Sequence, residues 1–163
     1  MVSIMQGEID EVVRSDQASV TSVFWADRYH QLATTGLDPA LSEQLADVQL
    51  RGWTLMIEDV ARPEYLALFH DGEPIAGAVI SRGRRRRIAW IGVHPDHRRR
   101  GHGRTMMRAI CARADGDERV LELQVDRTNL GAIALYADAG FEPSGPDDST
   151  DHFLVREPCG GTE

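Results

Sequence analysis

From Val93 to Thr105 the chain runs Val-His-Pro-Asp-His-Arg-Arg-Arg-Gly-His-Gly-Arg-Thr, and these residue types at this spacing suit one kind of chemistry, the holding of an anion. Glycines at 101 and 103 allow the backbone to approach a phosphate without interference from Cβ. Amides at the start of a helix carry partial positive charge directed outward, toward such a ligand. Arg98, Arg99, Arg100 and Arg104 surround the turn. A Gly-x-Gly pair by itself occurs in many turns, so the weight lies in the strand before it and the helix after it. Together they point to a ligand bearing a pyrophosphate.

Other chemistries find less support. The six histidines are scattered and no Cys-x-x-Cys occurs, so no metal site is expected. Every basic residue is Arg, which excludes a Schiff base or a lysine nucleophile. Cys111 falls on the apolar stripe of a predicted helix and Cys159 in a Gly-rich tail, which is no disulfide framework.

The elements that must position the Gly turn follow from periodicity. Glu8 to Arg14 suggests a first strand with Ile9, Val12 and Val13, and Asp16 caps a helix running to Leu32 with Val20, Val23 and Phe24 on its apolar face. Asp38-Pro39 starts a second helix with Leu41, Leu45 and Val48 at helical spacing, and Gly52 ends or bends it. Tyr65 to His70, the turn Asp71-Gly72 and Pro74 to Ser81 form a hairpin; a second turn, Arg82 to Arg87, leads into the strand Ile88 to Val93. After Gly103, the residues Met106, Met107, Ile110, Cys111 and Ala114 share one helical face. Val120 to Val125 alternates as a half-buried strand. Asn129 to Ala139 is a helix with Ile133, Ala134 and Ala137 inward, stopped by Gly140, and Phe141 with Phe153 to Arg156 supplies two closing strands.

The 163 residues suit one domain, and their net charge of −8 is unevenly placed. Residues 1–81 carry −9, residues 82–108 carry +9 and residues 109–163 carry −8. One basic band in an acidic chain favours a localised anion site over a nucleic-acid surface, and the acidic remainder suits a cationic acceptor or serves as solubilising charge. No apolar run is long enough to span a bilayer, and Met1 to Glu11 lacks the pattern of a secretory signal. A cytoplasmic protein with no membrane or nucleic-acid partner is expected; a homodimer is left open.

The chain resembles the acetyl-CoA-dependent N-acetyltransferases of the GNAT superfamily. The motif V-x-P-x-x-[RQ]-x-x-G-x-[GA] is met from Val93 to Gly103, and N-x-x-A-x-x-L-Y-x-x-x-G-F by Asn129, Ala132, Leu135, Tyr136, Gly140 and Phe141, one helix and one strand later. The resemblance covers Ile88 to Phe141; the first half of the chain agrees only in the order of its elements. It implies an α/β fold with a mixed, mostly antiparallel sheet of six or seven strands flanked by helices, in one domain over residues 1–157, with 158–163 as a disordered tail.

The same resemblance implies roles. The backbone of Ile91, Gly92 and Val93 pairs with the pantetheine arm as another strand would, and an amide near Ile91 polarises the thioester carbonyl. The segment Arg98, Arg99, Arg100, Gly101, His102, Gly103 and Arg104 holds the pyrophosphate, chiefly through the amides from Arg99 onward. Asn129 bonds the pantetheine, Tyr136 protonates the leaving thiolate, and the Ile88 strand splays from the Val120 strand to admit the acetyl group. The expected reaction is acetyl transfer from acetyl-CoA to a primary amine by direct attack, without a metal. A small-molecule amine is the first choice of acceptor; a peptide N-terminus, as in acetyltransferases of ribosomal-protein type, and a non-catalytic acyl-CoA sensor are the alternatives.

Attack by an amine also needs a base. The strand position where some members of that family carry Glu is Gln124 here, so Glu122, on the same strand face, is the first candidate, with Asp126, His94 and His152 behind it. His94, His97 and His102 otherwise read as solvated loop residues, and Arg84 to Arg87 as a solvated turn that could instead attract an acidic acceptor or the 3'-phosphate of CoA. Trp25 and Tyr29 are read as core packing, or as the wall of an acceptor pocket.

Overall fold

A computed structural model describes residues 11–145 and 150–160. Its elements are β1 (Val12–Arg14), α1 (Gln17–Ala33), α2 (Pro39–Glu58), β2 (Pro63–His70), β3 (Glu73–Ser81), β4 (Arg86–Val93), α3 (His102–Gly116), β5 (Leu121–Asp126), α4 (Leu130–Asp138), β6 (Glu142–Pro143) and β7 (Asp151–Arg156), with a 3₁₀ turn at Pro95–His97. Among the described residues the strands form one seven-stranded sheet in the order β1-β2-β3-β4-β5-β7-β6. All neighbours are antiparallel except β4 and β5, which run parallel with α3 as the crossover between them. The mixed, mostly antiparallel sheet expected from the sequence is therefore present. Ile9 of the first predicted strand lies outside the described residues.

Local signals account for many boundaries. The Asp16 carboxylate accepts from the Ser19 amide at 3.0 Å and caps α1, and Asp38 caps α2 ahead of Pro39. Asp71 and Gly72 take φ of 51° and 81°, the left-handed pair that suits a two-residue hairpin between β2 and β3. On α3, Met106, Met107, Ile110, Cys111 and Ala114 are all buried, as their spacing requires.

Two helices differ from the sequence reading. α2 runs through Gly52 to Glu58, because Trp53 and Ile57 continue its buried stripe and outweigh a glycine cost of about 1 kcal/mol. That stripe is Ser42, Ala46, Trp53 and Ile57; Leu41 and Val48 are exposed. In the first half of α2 small Ser42 and Ala46, rather than Leu41 and Val48, face inward. On α4, Ile133 packs inward as expected but Ala134 and Ala137 are exposed, and the inner face is completed by Ala132, Leu135, Tyr136 and Ala139.

The sheet separates two apolar clusters. One gathers Val20 and Phe24 of α1, Trp53 and Ile57 of α2, and Val79 of β3, with Trp90 of β4 against them. The other packs α3 and Tyr136 of α4 on Leu66, Leu68, Ala78, Ile80, Leu121, Leu123 and Val125. Neighbouring Val79 and Ile80 fall in different clusters, as the alternation of a strand demands.

Candidate active site

The parallel pair at the centre of the sheet is incomplete. β4 and β5 are in register only at Arg86↔Leu121 and Arg87↔Glu122, after which they part. From Ile88 to Val93 the edge of β4 that faces β5 has no strand partner among the described residues, while its other edge remains paired with β3. Between Val79↔Trp90 and Ile80↔Ile88 the β3 register shifts, which leaves Ala89 as an extra residue on β4. Such a bulge bends a strand and re-aims its backbone groups. The gap leaves the backbone from half-buried Ala89 through Ile91, Gly92 and Val93 without a ladder partner on that side.

At the far end of β4 the Gly turn opens α3. Gly101 is the N-cap with φ 83°, and a Cβ there would meet nothing within 4 Å. Arg99 also takes positive φ, 65°. The Thr105 amide donates to the Gly101 carbonyl at 3.0 Å, so the amides of His102, Gly103 and Arg104 precede the first intrahelical bond. Gly103 faces α4, where a Cβ would lie 3.7 Å from Leu135.

The four arginines of the turn divide into two pairs. Arg98 is bound to the Asp27 carboxylate of α1, and both its Nε and one terminal nitrogen donate to the Val93 carbonyl at 3.2 Å. Arg104 pairs with Asp138 of α4 at 3.1 Å. Arg99 and Arg100 are exposed and have no carboxylate partner among the described residues. Asp27 is 8% exposed and also accepts from Gln31 at 3.0 Å. Because it lies 71 residues before Arg98, this tether had no local signal in the sequence.

The histidines beside the turn form a group instead of standing solvated. His94 Nδ1 accepts from the Asp96 amide at 3.1 Å and caps the 3₁₀ turn, and the His97 ring lies 5.6 Å from His94 and 6.3 Å from both His70 and His102. Burial, followed by the charges of His94 and Arg100, pulls the His97 pKa below its ordinary value.

Tyr136 sits on the α3–α4 side of the sheet, 8% exposed, with its ring 5.8 Å from Phe141. Burial raises its pKa, so the phenol keeps its proton at neutral pH. Asn129 caps α4, its Oδ1 accepting from the Ala132 amide at 3.2 Å, which leaves the side-chain NH₂ as its group for a ligand.

The base candidates are all engaged. Glu122 and Gln124 project to the sheet face opposite Tyr136, since Leu121, Leu123 and Val125 between them are buried on the Tyr136 side. Glu122 accepts from Arg85 at 3.0 Å, and Gln124 links Arg87 (2.6 Å) to Asp151 (2.9 Å). Asp126 accepts from the Thr128 amide and hydroxyl, which lower its pKa. His152 lies opposite Val125 on β7, a register position on the face of Tyr136. The arginines of the 82–87 turn thus stitch the strands together, Arg85 and Arg87 to β5 and Arg86 to Asp117, in place of the solvated turn expected.

On the Glu122 side, a cleft of about 490 Å³ lies beside the gap, bordered by Met56 and Asp59 at the end of α2, Ser81, Arg87, Ala89 and Gln124. Asp59 escaped the sequence reading because the second helix was expected to end or bend at Gly52, seven residues earlier. Trp25 and Tyr29 neither line this cleft nor join the core. They stack at 5.2 Å, half-exposed, and the Trp25 indole donates to Asp47 of α2 at 2.8 Å. Among the described residues no cluster of side chains suits a metal ion, and no helix is long and apolar enough to cross a membrane.

The fold recurs in solved structures. The ribosomal-protein-S18-alanine N-acetyltransferase of Escherichia coli superposes with a TM-score of 0.65 at 19% identity, over 94% of this chain and 97% of its own. The PaiA N-acetyltransferase of Thermoplasma acidophilum, solved with coenzyme A, gives 0.65 at 16% identity over 90% and 98%. A nourseothricin acetyltransferase gives 0.51 at 26% identity, over 58% of this chain and 65% of its own. Among curated proteins no sequence matches. The sequence pattern of the acetyltransferase (GNAT) family spans residues 21–141, from within α1 to the residue before β6, and so takes in the tethered turn, the parted strands and the buried tyrosine together. On that span the chain belongs to the GNAT family of acetyltransferases.

Proposed function

We propose that the protein moves an acetyl group from acetyl-CoA to the primary amine of a small molecule, by direct attack and without a covalent enzyme intermediate. The observation that carries this reading is the parting of β4 and β5. It leaves a strand edge able to hydrogen-bond an extended pantetheine amide chain, and it joins the Tyr136 face of the sheet to the cleft on the other. The residues present suit acetyl-CoA: the Gly101 backbone is open, three helix-start amides precede the first intrahelical bond, and the guanidiniums of Arg99 and Arg100 have no carboxylate partner among the described residues. Arg98 serves from behind, holding the turn to α1. The bound thioester supplies an activated acetyl group and a thiol leaving group.

The remaining work falls to this chain. The amine enters from the cleft, where Asp59 attracts it as an ammonium, and loses a proton to water or to Glu122 once Arg85 releases it. Its nitrogen then bonds to the carbonyl carbon, a backbone amide in the bulged Ala89–Ile91 segment holds the developing oxyanion, and the carbon–sulfur bond breaks as the Tyr136 hydroxyl gives its proton to the departing thiolate; the second proton shed by the nitrogen as the amide forms passes to water, and water returns one to the Tyr136 phenolate. Acid and amine work from opposite faces of the sheet, which suits expulsion of sulfur on one side as nitrogen arrives on the other. A cleft of about 490 Å³ is of a size for a small molecule.

Release of free thiol from acetyl-CoA, measured with a panel of small amines and peptides, tests the proposal. Amine-dependent release supports it. Turnover with peptides alone would move the acceptor to a protein N-terminus, and binding of acetyl-CoA with no acceptor-dependent release would replace the enzyme with a sensor. Tyr136→Phe should lower kcat about 100-fold, the low end for a general acid because thiols leave readily, with KM little changed. Full turnover by that variant would remove the acid role.

A further inference from the structure

The +9 band of the sequence is two clusters in space. Arg98 to Arg104 lie beyond the end of β4, while Arg82 to Arg87 lie at its start, roughly 26 Å away along eight strand residues. At that second end, below the C-terminus of α3, a concave pit of about 610 Å³ is lined by Arg14, Arg62, Arg82, Arg86, Arg113 and Arg119. We propose that this pit is a second anion site, separate from the Gly turn, for a compact polyanion of the phosphate type: a pyrophosphate or a phosphate ester.

The charge balance within the pit favours a ligand of that sign. Its two carboxylates, Glu64 and Asp117, face six arginines, an excess of four positive charges. Glu64, 8% exposed, takes Arg14 at 2.7 Å and Arg113 at 3.7 Å, and Asp117 takes Arg86 at 2.5 Å. Arg62, Arg82 and Arg119 have no carboxylate partner among the described residues. Arg82 Nε donates only to the Arg62 carbonyl, at 3.2 Å. The Arg86 side chain is 15% exposed, and its Nε is buried without any hydrogen-bond partner among the described residues.

Burying a donor of a charged group unpaired is costly, and like charges in one concavity repel. Arg62 holds φ at 49°, a conformation that ordinary side chains rarely adopt, and structural strain of this kind persists where the surroundings impose it. An oxyanion accepts from several guanidiniums at once and offsets their mutual repulsion. The pit contains no aromatic ring to stack a base, so it suits the phosphate group itself rather than a nucleic acid.

Inorganic pyrophosphate, titrated into ¹⁵N-labelled protein and followed by backbone amide shifts, tests the site without reference to acetyl-CoA. Expected are shifts at residues 82–86 and 116–119, distinct in midpoint from those at 99–104, and weakening with added salt. Arg62→Gln with Arg119→Gln, both at exposed side chains, should weaken the first set about 100-fold and leave the second, at about ten-fold for each charge-assisted bond removed. Arg82→Gln alone should weaken it about ten-fold. Shifts confined to residues 99–104, or pit shifts indifferent to both variants, would overturn the proposal.

Discussion

The tether between Asp27 and Arg98 makes a prediction whose sign depends on unequal burial. The Asp27 side chain is 12% exposed and that of Arg98 is 41% exposed. Arg98→Ala leaves a nearly buried carboxylate with the Gln31 amide at 3.0 Å and Arg28 at 3.8 Å as its remaining partners. Removing one partner of a buried pair costs roughly 3–5 kcal/mol, and these remaining partners set the value near 3. Asp27→Asn instead frees a guanidinium that can turn into water, at about 1 kcal/mol. Urea unfolding should therefore separate the two variants by about 2 kcal/mol, with Arg98→Ala the less stable. Calorimetric titration with CoA adds a second sign. If Arg98 braces the turn, both variants bind CoA more weakly than the parent. If Arg98 met the pyrophosphate itself, releasing it from Asp27 would leave CoA binding intact or strengthen it. Equal stabilities, or a gain in CoA affinity for Asp27→Asn, would refute the bracing role.

Gly92→Ala should destabilise the protein by about 1–3 kcal/mol, because its Cβ would lie 2.5 Å and 2.8 Å from Trp90 ring atoms that pack on Phe24 and Trp53; an unchanged unfolding midpoint by tryptophan fluorescence would show that the ring yields freely. Arg156→Met should cost about 2–3 kcal/mol in urea, since Arg156 is 7% exposed and holds Asp115 through two hydrogen bonds of 2.8 Å and 3.1 Å, while the Cys159 amide still serves the carboxylate afterwards. The same bonds lower the Asp115 pKa, so the folded protein takes up that proton less readily than the unfolded chain. This stabilisation is present above the ordinary value of 3.8 and is lost as pH falls through the lower folded value; Arg156→Met should flatten the acid limb of stability against pH. For His97, whose pKa is also lowered, stability should decline as pH falls below 6.5, and His97→Gln should remove that component in a pH series of thermal melts.

Features governed by neighbours in the chain were legible before folding. The Asp16 and Asp38 caps, the Asp71-Gly72 turn, the buried face of α3 and the alternation of β5 all depend on residues within a few positions, where backbone sterics and periodicity decide. The Gly101 turn belongs with them. What the sequence could not disclose rests on long-range contacts. Arg98 looked like its three neighbours until Asp27 claimed it, and the single basic band became two clusters because β4 carries its ends apart. Alternation put Glu122 on the face opposite Leu121 and Leu123, but that Tyr136 would pack with those leucines and that Arg85 would take Glu122 required distant segments to meet. The face of α2 was set by what it packs against, since small Ser42 and Ala46 allow a close approach that Leu41 and Val48 do not. One-dimensional order determines which local shapes the backbone can take; which charges meet, and which remain unpaired, is decided only when distant segments are brought together and dried.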